Sequence, residues 1–208
     1  MFGGNFQTWK LHSAQDYFMF FAYILAGVLV FWLIAKHMNK QRNHEKAVEK
    51  VSGRLKKICG KPGEVLKNAT LNLPEGKMTF DAVLMDKRGV YLVRTYGWGI
   101  KIYGTPDGAM WRREDAKRKE EFENPLLELK KGAAEITKVM EENGVQSLKV
   151  MPMVVFADNF QTPELYLGYG SFSTTYQELK SWYKKQSGVK EVQYDYDKVS
   201  SIIKELVK

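Results

Sequence analysis

Hydrophobic and polar positions fall into blocks of different period along the chain. From Tyr17 to Ala35 the sequence YFMFFAYILAGVLVFWLIA runs without a charge. At about 1.5 Å per residue this is roughly 28 Å of helix, close to the ~30 Å hydrocarbon core of a bilayer. Helices in globular cores keep a polar face, and this stretch has none, so a transmembrane helix is expected over 17–35. The run is too long for a signal peptide, lacks a basic cluster before it and lacks a small-x-small site after it. It is therefore expected to remain as an anchor.

A helical period follows over Asn43 to Cys59, with Ala47, Val48, Val51, Leu55 and Ile58 on one face and Gly60, Pro62 and Gly63 as the stop. Four strand-like stretches come next: Val65–Leu73, Met78–Met85, Val90–Tyr96 and Ile100–Tyr103. Turn residues at 73–76 and 86–89, then Gly97 and Gly99, separate them. Asp107–Trp111 suits a short edge strand. Arg112–Glu123 is almost wholly charged and reads as a solvated loop or helix fragment. Asn124-Pro125 opens a helix with Pro at its first position, and Gly144 closes it. Its buried face is Leu126, Leu129, Ala133, Ile136, Val139 and Met140. Val150–Phe156 is a continuous apolar run of the kind that suits a fully covered strand. Helices around Thr174–Lys185 and Asp195–Leu206 complete the pattern. The order argues for an α/β fold in which helices cover a mixed sheet.

Charge changes the picture by where it sits. The 208 residues carry 32 Lys plus Arg against 24 Asp plus Glu, a formal +8. Residues 1–35 are neutral, because Lys10 offsets Asp16. Residues 36–57 hold eight basic and two acidic side chains, a net +6, which leaves only +2 for 58–208. The basic excess after the apolar segment predicts a short N-terminal tail outside (1–16) and a C-terminal part in the cytoplasm. This gives a single-pass protein of the cell membrane, with a basic juxtamembrane linker at 36–43 and a folded domain at 44–208. The basic run is expected to meet anionic lipid headgroups. The near-neutral stretch 58–208 weakens a nucleic-acid reading.

Candidate chemistry is sparse. One cysteine, Cys59, excludes a disulfide framework or a Cys-based zinc site. It reads as a small half-buried hydrophobe. His12, His37 and His44 all lie in the tail or near the apolar segment, so no histidine is expected in a cytoplasmic site. Asp86 is expected to cap its own turn. Gly97, Gly99 and Gly104 do not form a phosphate loop. Tyr166, Tyr169, Phe172, Tyr176, Trp182 and Tyr183 are expected to pack a helix onto a sheet, although such aromatics can also stack bases.

The segments Phe80-Asp81-Ala82-Val83-Leu84, Gly89 through Gly99 and Ile102-Tyr103-Gly104 resemble the NERD (nuclease-related) domain. Trp111, Phe122-Glu123-Asn124-Pro125-Leu126 and Val154-Val155-Phe156 extend the likeness over roughly residues 45–160. The resemblance implies a restriction-endonuclease-like αβββαβ core of the PD-(D/E)XK kind. In that fold two acids on adjacent strands hold Mg²⁺ or Mn²⁺, and a lysine two positions after the second acid helps activate water. Asp81 matches the first acid. The Glu-x-Lys position, however, falls on Arg94-Thr95-Tyr96, the helix glutamine on Glu128, and a residue often histidine on Gly132. An acid of the first helix could be Glu45 or Glu49.

Arginine carries no acceptor and stays protonated, so Arg94 cannot ligate a cation and would repel one from Asp81. The expected site is thus vestigial, made of Asp81, Arg94 and Tyr96 with weaker Glu49 and Glu128, and Arg94 is expected to pair with Asp81. No cofactor is expected. The leading expectation is a membrane-anchored NERD-like domain without nuclease activity that binds or scaffolds an unknown protein partner. A metal-dependent nuclease using Glu49, Glu64 or Glu128, and a protein-interaction subunit of a membrane complex, are the alternatives.

Overall fold

Ser13 starts the first helix of the computed structural model, which describes residues 13–41, 43–115, 118–158, 161–186 and 194–207, without the side chains of 37–41. Its hydroxyl accepts from the Asp16 amide at 3.2 Å, and the Asp16 carboxylate accepts from the Ser13 amide at 3.0 Å, a reciprocal cap that satisfies two terminal N–H groups. Helix α1 then runs Ala14–Gln41. It continues through 36–41, which the sequence suggested as linker. Ala14–Lys36 is long and apolar enough to cross a membrane, and none of its most apolar window is buried. Lys10 and Arg42, two of the flanking charges, and His12 lie outside the described residues.

The chain divides at Lys40/Gln41 into two units. In the second, Asn43 caps α2 (His44–Cys59) by accepting from the Glu45 amide. Strands β1 (Glu64–Leu73), β2 (Gly76–Asp86) and β3 (Gly89–Tyr96) form an antiparallel meander. Helix α3 (Pro125–Glu142) crosses over to β7 (Val150–Phe156), which pairs parallel to β3. A short β9 (Ser173–Thr175) pairs parallel to β7, giving a mixed sheet β1-β2-β3-β7-β9. The sequence α2-β1-β2-β3-α3-β7 is the expected αβββαβ core.

Both faces of this sheet are covered. Val83, Met85, Leu92, Val154 and Phe156 meet α3 and α5 (Tyr196–Leu206), whereas Ala82, Leu84, Tyr91, Val93 and Val155 meet α2 and α4 (Leu179–Gln186). Alternation fails at one place. Phe80 shares a face with Val83 and Met85 rather than with Ala82, and on β1 Leu66 and Ala69 likewise share one face. The slip falls at Asp81 and at Asn68, whose φ of 49° places it in the left-handed region that asparagine tolerates. Such a local break re-aims a side chain, here that of Asp81.

Several elements differ from the sequence expectation. Strand β4 (Lys101–Gly104) leaves the central sheet and joins a second one, β6-β5-β4-β8, with β5 (Met110–Glu114), β6 (Lys119–Glu123) and β8 (Glu164–Leu167). The charged stretch Arg112–Glu123 is thus a hairpin and not a loop or helix fragment. Its charges are complementary across the strands, with Arg113 opposite and ion-paired to Glu120 and Lys119 3.1 Å from Glu114. Its apolar register pairs Trp111 with Phe122. The helix expected over Thr174–Lys185 begins only at Leu179, because Thr174 and Thr175 extend the sheet beside Val155 and Phe156.

Candidate functional site

Three elements meet beside the strand break. β2 supplies Asp81, β3 supplies Arg94, Thr95 and Tyr96, and the first turn of α3 supplies Glu128. The start of α3 is fixed by Asn124, whose Oδ1 accepts from the Leu126 amide at 3.0 Å. The same side chain donates to the Gly108 carbonyl at 2.7 Å and the Pro106 carbonyl at 3.2 Å. It therefore ties the helix cap to the β4–β5 turn and sets where Glu128 projects. Trp111 holds that turn from within, its indole N–H donating to the Thr105 carbonyl at 2.9 Å.

Asp81 is 4% exposed. One carboxylate oxygen, Oδ2, accepts from the Thr95 amide at 2.6 Å. The other, Oδ1, lies 3.7 Å from Arg94 Nη1 and 3.3 Å from His44 Nε2. Arg94 turns its Nη2 to Glu128 Oε2 at 2.6 Å and to the Thr79 carbonyl at 3.2 Å. The guanidinium thus stands between the two carboxylates. A cavity of about 320 Å³ opens over this cluster, lined by His44, Arg94, Thr95, Tyr96, Glu123 and Glu128 among others.

Tyr96 faces the cavity but belongs to an aromatic stack. Its ring lies 4.8 Å from Trp98, 5.4 Å from Phe122 and 5.5 Å from Phe156. Burial pushes its phenol up to about 12, against the opposing pull of Arg94. A phenol so raised remains neutral where a lysine would be cationic.

The donor set does not fit a divalent cation. Mg²⁺ and Mn²⁺ need several free oxygen ligands in a near-octahedral shell. Here one Asp81 oxygen is taken by a backbone N–H, and a fixed guanidinium lies between Asp81 and Glu128. Among the described residues, no three His, Cys, Asp or Glu side chains converge as a metal site would require. Glu49 does not join the cluster; it lines a different cleft beside Tyr176. Glu64 sits four positions along the β1–β2 ladder from Asp81, opposite Met85, and pairs with Lys204 at 2.7 Å. Glu45 is exposed on α2.

His44 is the residue the sequence reading missed. Proximity in sequence to the apolar helix placed it away from any site, yet the first turn of α2 packs onto the sheet and brings its ring to Asp81. Its position directly after the Asn43 cap was the available signal. Gly132 is explained by contact: a Cβ there would come within 2.7 Å of the Phe80 ring, so a larger residue cannot share this helix face with Phe80. Asp86 caps its turn as expected, accepting from the Arg88 amide at 2.9 Å, and in addition accepts from the buried Tyr183 hydroxyl. The later aromatics divide, with Tyr183 buried on the sheet and Tyr169 fully exposed.

An antiparallel β-meander followed by a crossover helix, with an acid on the middle strand and a second acid at the helix start, makes an α/β fold compatible with the restriction-endonuclease-like arrangement. The chain belongs to the nuclease-related domain (NERD) family, whose match covers residues 40–157. An uncharacterized protein of Bacillus anthracis is 32% identical over 112 residues, 52% of this chain and 52% of its own length. The chain thus spans about half the length of that curated relative. No solved structure matches the chain.

Proposed function

We propose that this is a membrane-anchored NERD protein in which Arg94 takes the place of the metal, and that its domain binds or scaffolds a partner at the cytoplasmic face instead of cleaving nucleic acid. The observation that carries this reading is the Arg94 guanidinium, 3.7 Å from Asp81 and 2.6 Å from Glu128. A tethered cation satisfies both acids without an exchangeable coordination position, and so without a metal-bound water to attack phosphate. The charge-free stretch Tyr17–Ala35 of α1 and the basic run that follows it support anchoring with the domain inside.

The test is cleavage of DNA and RNA by the full chain in nanodiscs, with and without Mg²⁺ or Mn²⁺. No cleavage is expected in any condition. Metal-dependent cleavage that disappears in Asp81→Ala would overturn the reading.

A further inference from the structure

On the other flank of α2 lies a second cleft, of about 530 Å³, that the vestigial site does not use. Lys50, Gly53, Arg54 and Lys57 line it from α2, at the three- and four-residue spacing that puts them on one helix face. Tyr176 and Lys180 close it from a segment more than 100 residues later. The Tyr176 ring has Lys50 Nζ at 4.4 Å and Arg54 Cζ at 4.5 Å from its centroid, so it gathers two cations at one wall. Arg54 is further oriented by donating to the Gln177 carbonyl at 3.3 Å. Four basic side chains face one acid, Glu49, a net +3 at a single concavity.

Convergence singles the cleft out: Lys50, Arg54, Lys57 and Lys180 line one concavity, and two of them meet on the Tyr176 ring. Gly53 points the same way: mid-helix glycine costs about 1 kcal/mol against alanine, and a Cβ there would meet nothing within 4 Å except the open cleft. Packing does not require the glycine, whereas an open floor does.

We infer that this cleft binds the phosphate of an anionic phospholipid headgroup. The commitment to lipid follows from the chain. α2 starts two residues after Arg42 and carries on the basic run that begins where the apolar helix ends, while residues 58–208 are nearly neutral. Arginine and lysine beside a tyrosine ring suit a phosphate, with the ring free to pack against the neighbouring glycerol carbons. The inference rests on the membrane-anchor reading and adds a defined headgroup site to it.

The experiment uses the full chain in nanodiscs of pure phosphatidylcholine or of phosphatidylcholine with phosphatidylglycerol, and reads lysine acetylation by mass spectrometry. Phosphatidylglycerol should protect Lys57 and Lys180 but not Lys101 or Lys119 on the second sheet. Lys180→Glu should remove the protection of Lys57, and Gly53→Leu should do so with every charge retained. Each basic residue lost should raise the phosphatidylglycerol fraction needed, with affinity falling about fivefold per charge. Equal acetylation in both discs overturns the headgroup site while leaving the anchor standing; failure to enter either disc overturns both. Protection in neutral discs by inorganic phosphate, or by a single-stranded oligonucleotide, overturns the lipid assignment in favour of that ligand.

Discussion

At the scale of single residues, Asp81 decides between two kinds of site. In a metal-dependent site the acids repel one another until the cation arrives, so removing one is neutral or stabilising in the metal-free protein. Here Asp81 is buried and accepts from the Thr95 amide at 2.6 Å with Arg94 and His44 close to its other oxygen. Asp81→Ala leaves a buried N–H unsatisfied and an arginine with one acid fewer, and should cost about 1–3 kcal/mol. Asp81→Asn keeps the acceptor and should cost less. Urea unfolding of both variants without metal measures this; a stabilised Asp81→Ala would favour a latent cation site. Asp81 was legible from the sequence, and so was its pairing residue. His44 was not, because sequence distance from the apolar helix says nothing about which way the first turn of α2 is packed.

At the scale of elements, the well-read parts are those with one dominant period. The face of α2, the Asn124-Pro125 start of α3 and the apolar run of β7 are each set by local chemistry, and each falls within a residue or two of its expected bounds. The misread parts are those whose partners lie far along the chain. The β5–β6 hairpin is charged because its charges pair across strands, a pattern that only the register reveals. The phase slip at Asp81 is hidden because β2 is apolar on both faces. Helix α2 carries a further prediction. Gly53→Ala adds a methyl group that meets nothing within 4 Å, so it should stabilise the chain by about 1 kcal/mol in thermal or denaturant unfolding. A destabilised variant would show that the glycine serves backbone geometry instead of the cleft.

At the scale of the whole molecule, the sheet is locked by neutral phenols on both faces. Tyr96 lies on the α3 side, while Tyr91 and Tyr183 lie on the α2 side. Burial raises all three above the ordinary tyrosine value, and Asp86 adds to the rise at Tyr91 and Tyr183. Tyr194 and Tyr196, where α5 begins, are raised by burial as well. For each, the folded state holds its proton to higher pH than the unfolded chain does. Their contribution is therefore complete below the unfolded value of about 10 and is lost as pH rises through the folded values, about 12 for Tyr96. The sign predicts a flat stability from pH 7 to 9 and a falling Tm from pH 10 upward, with cooperative appearance of tyrosinate absorbance at the unfolding step. Tyr183→Phe separates the two roles of that residue. It deletes the hydroxyl that donates to buried Asp86, costing about 1–3 kcal/mol near neutral pH, yet it should flatten the alkaline fall. A variant that loses Tm equally at pH 8 and pH 11 would show that Tyr183 packs the sheet without titrating, and the alkaline limit would then belong to the remaining phenols.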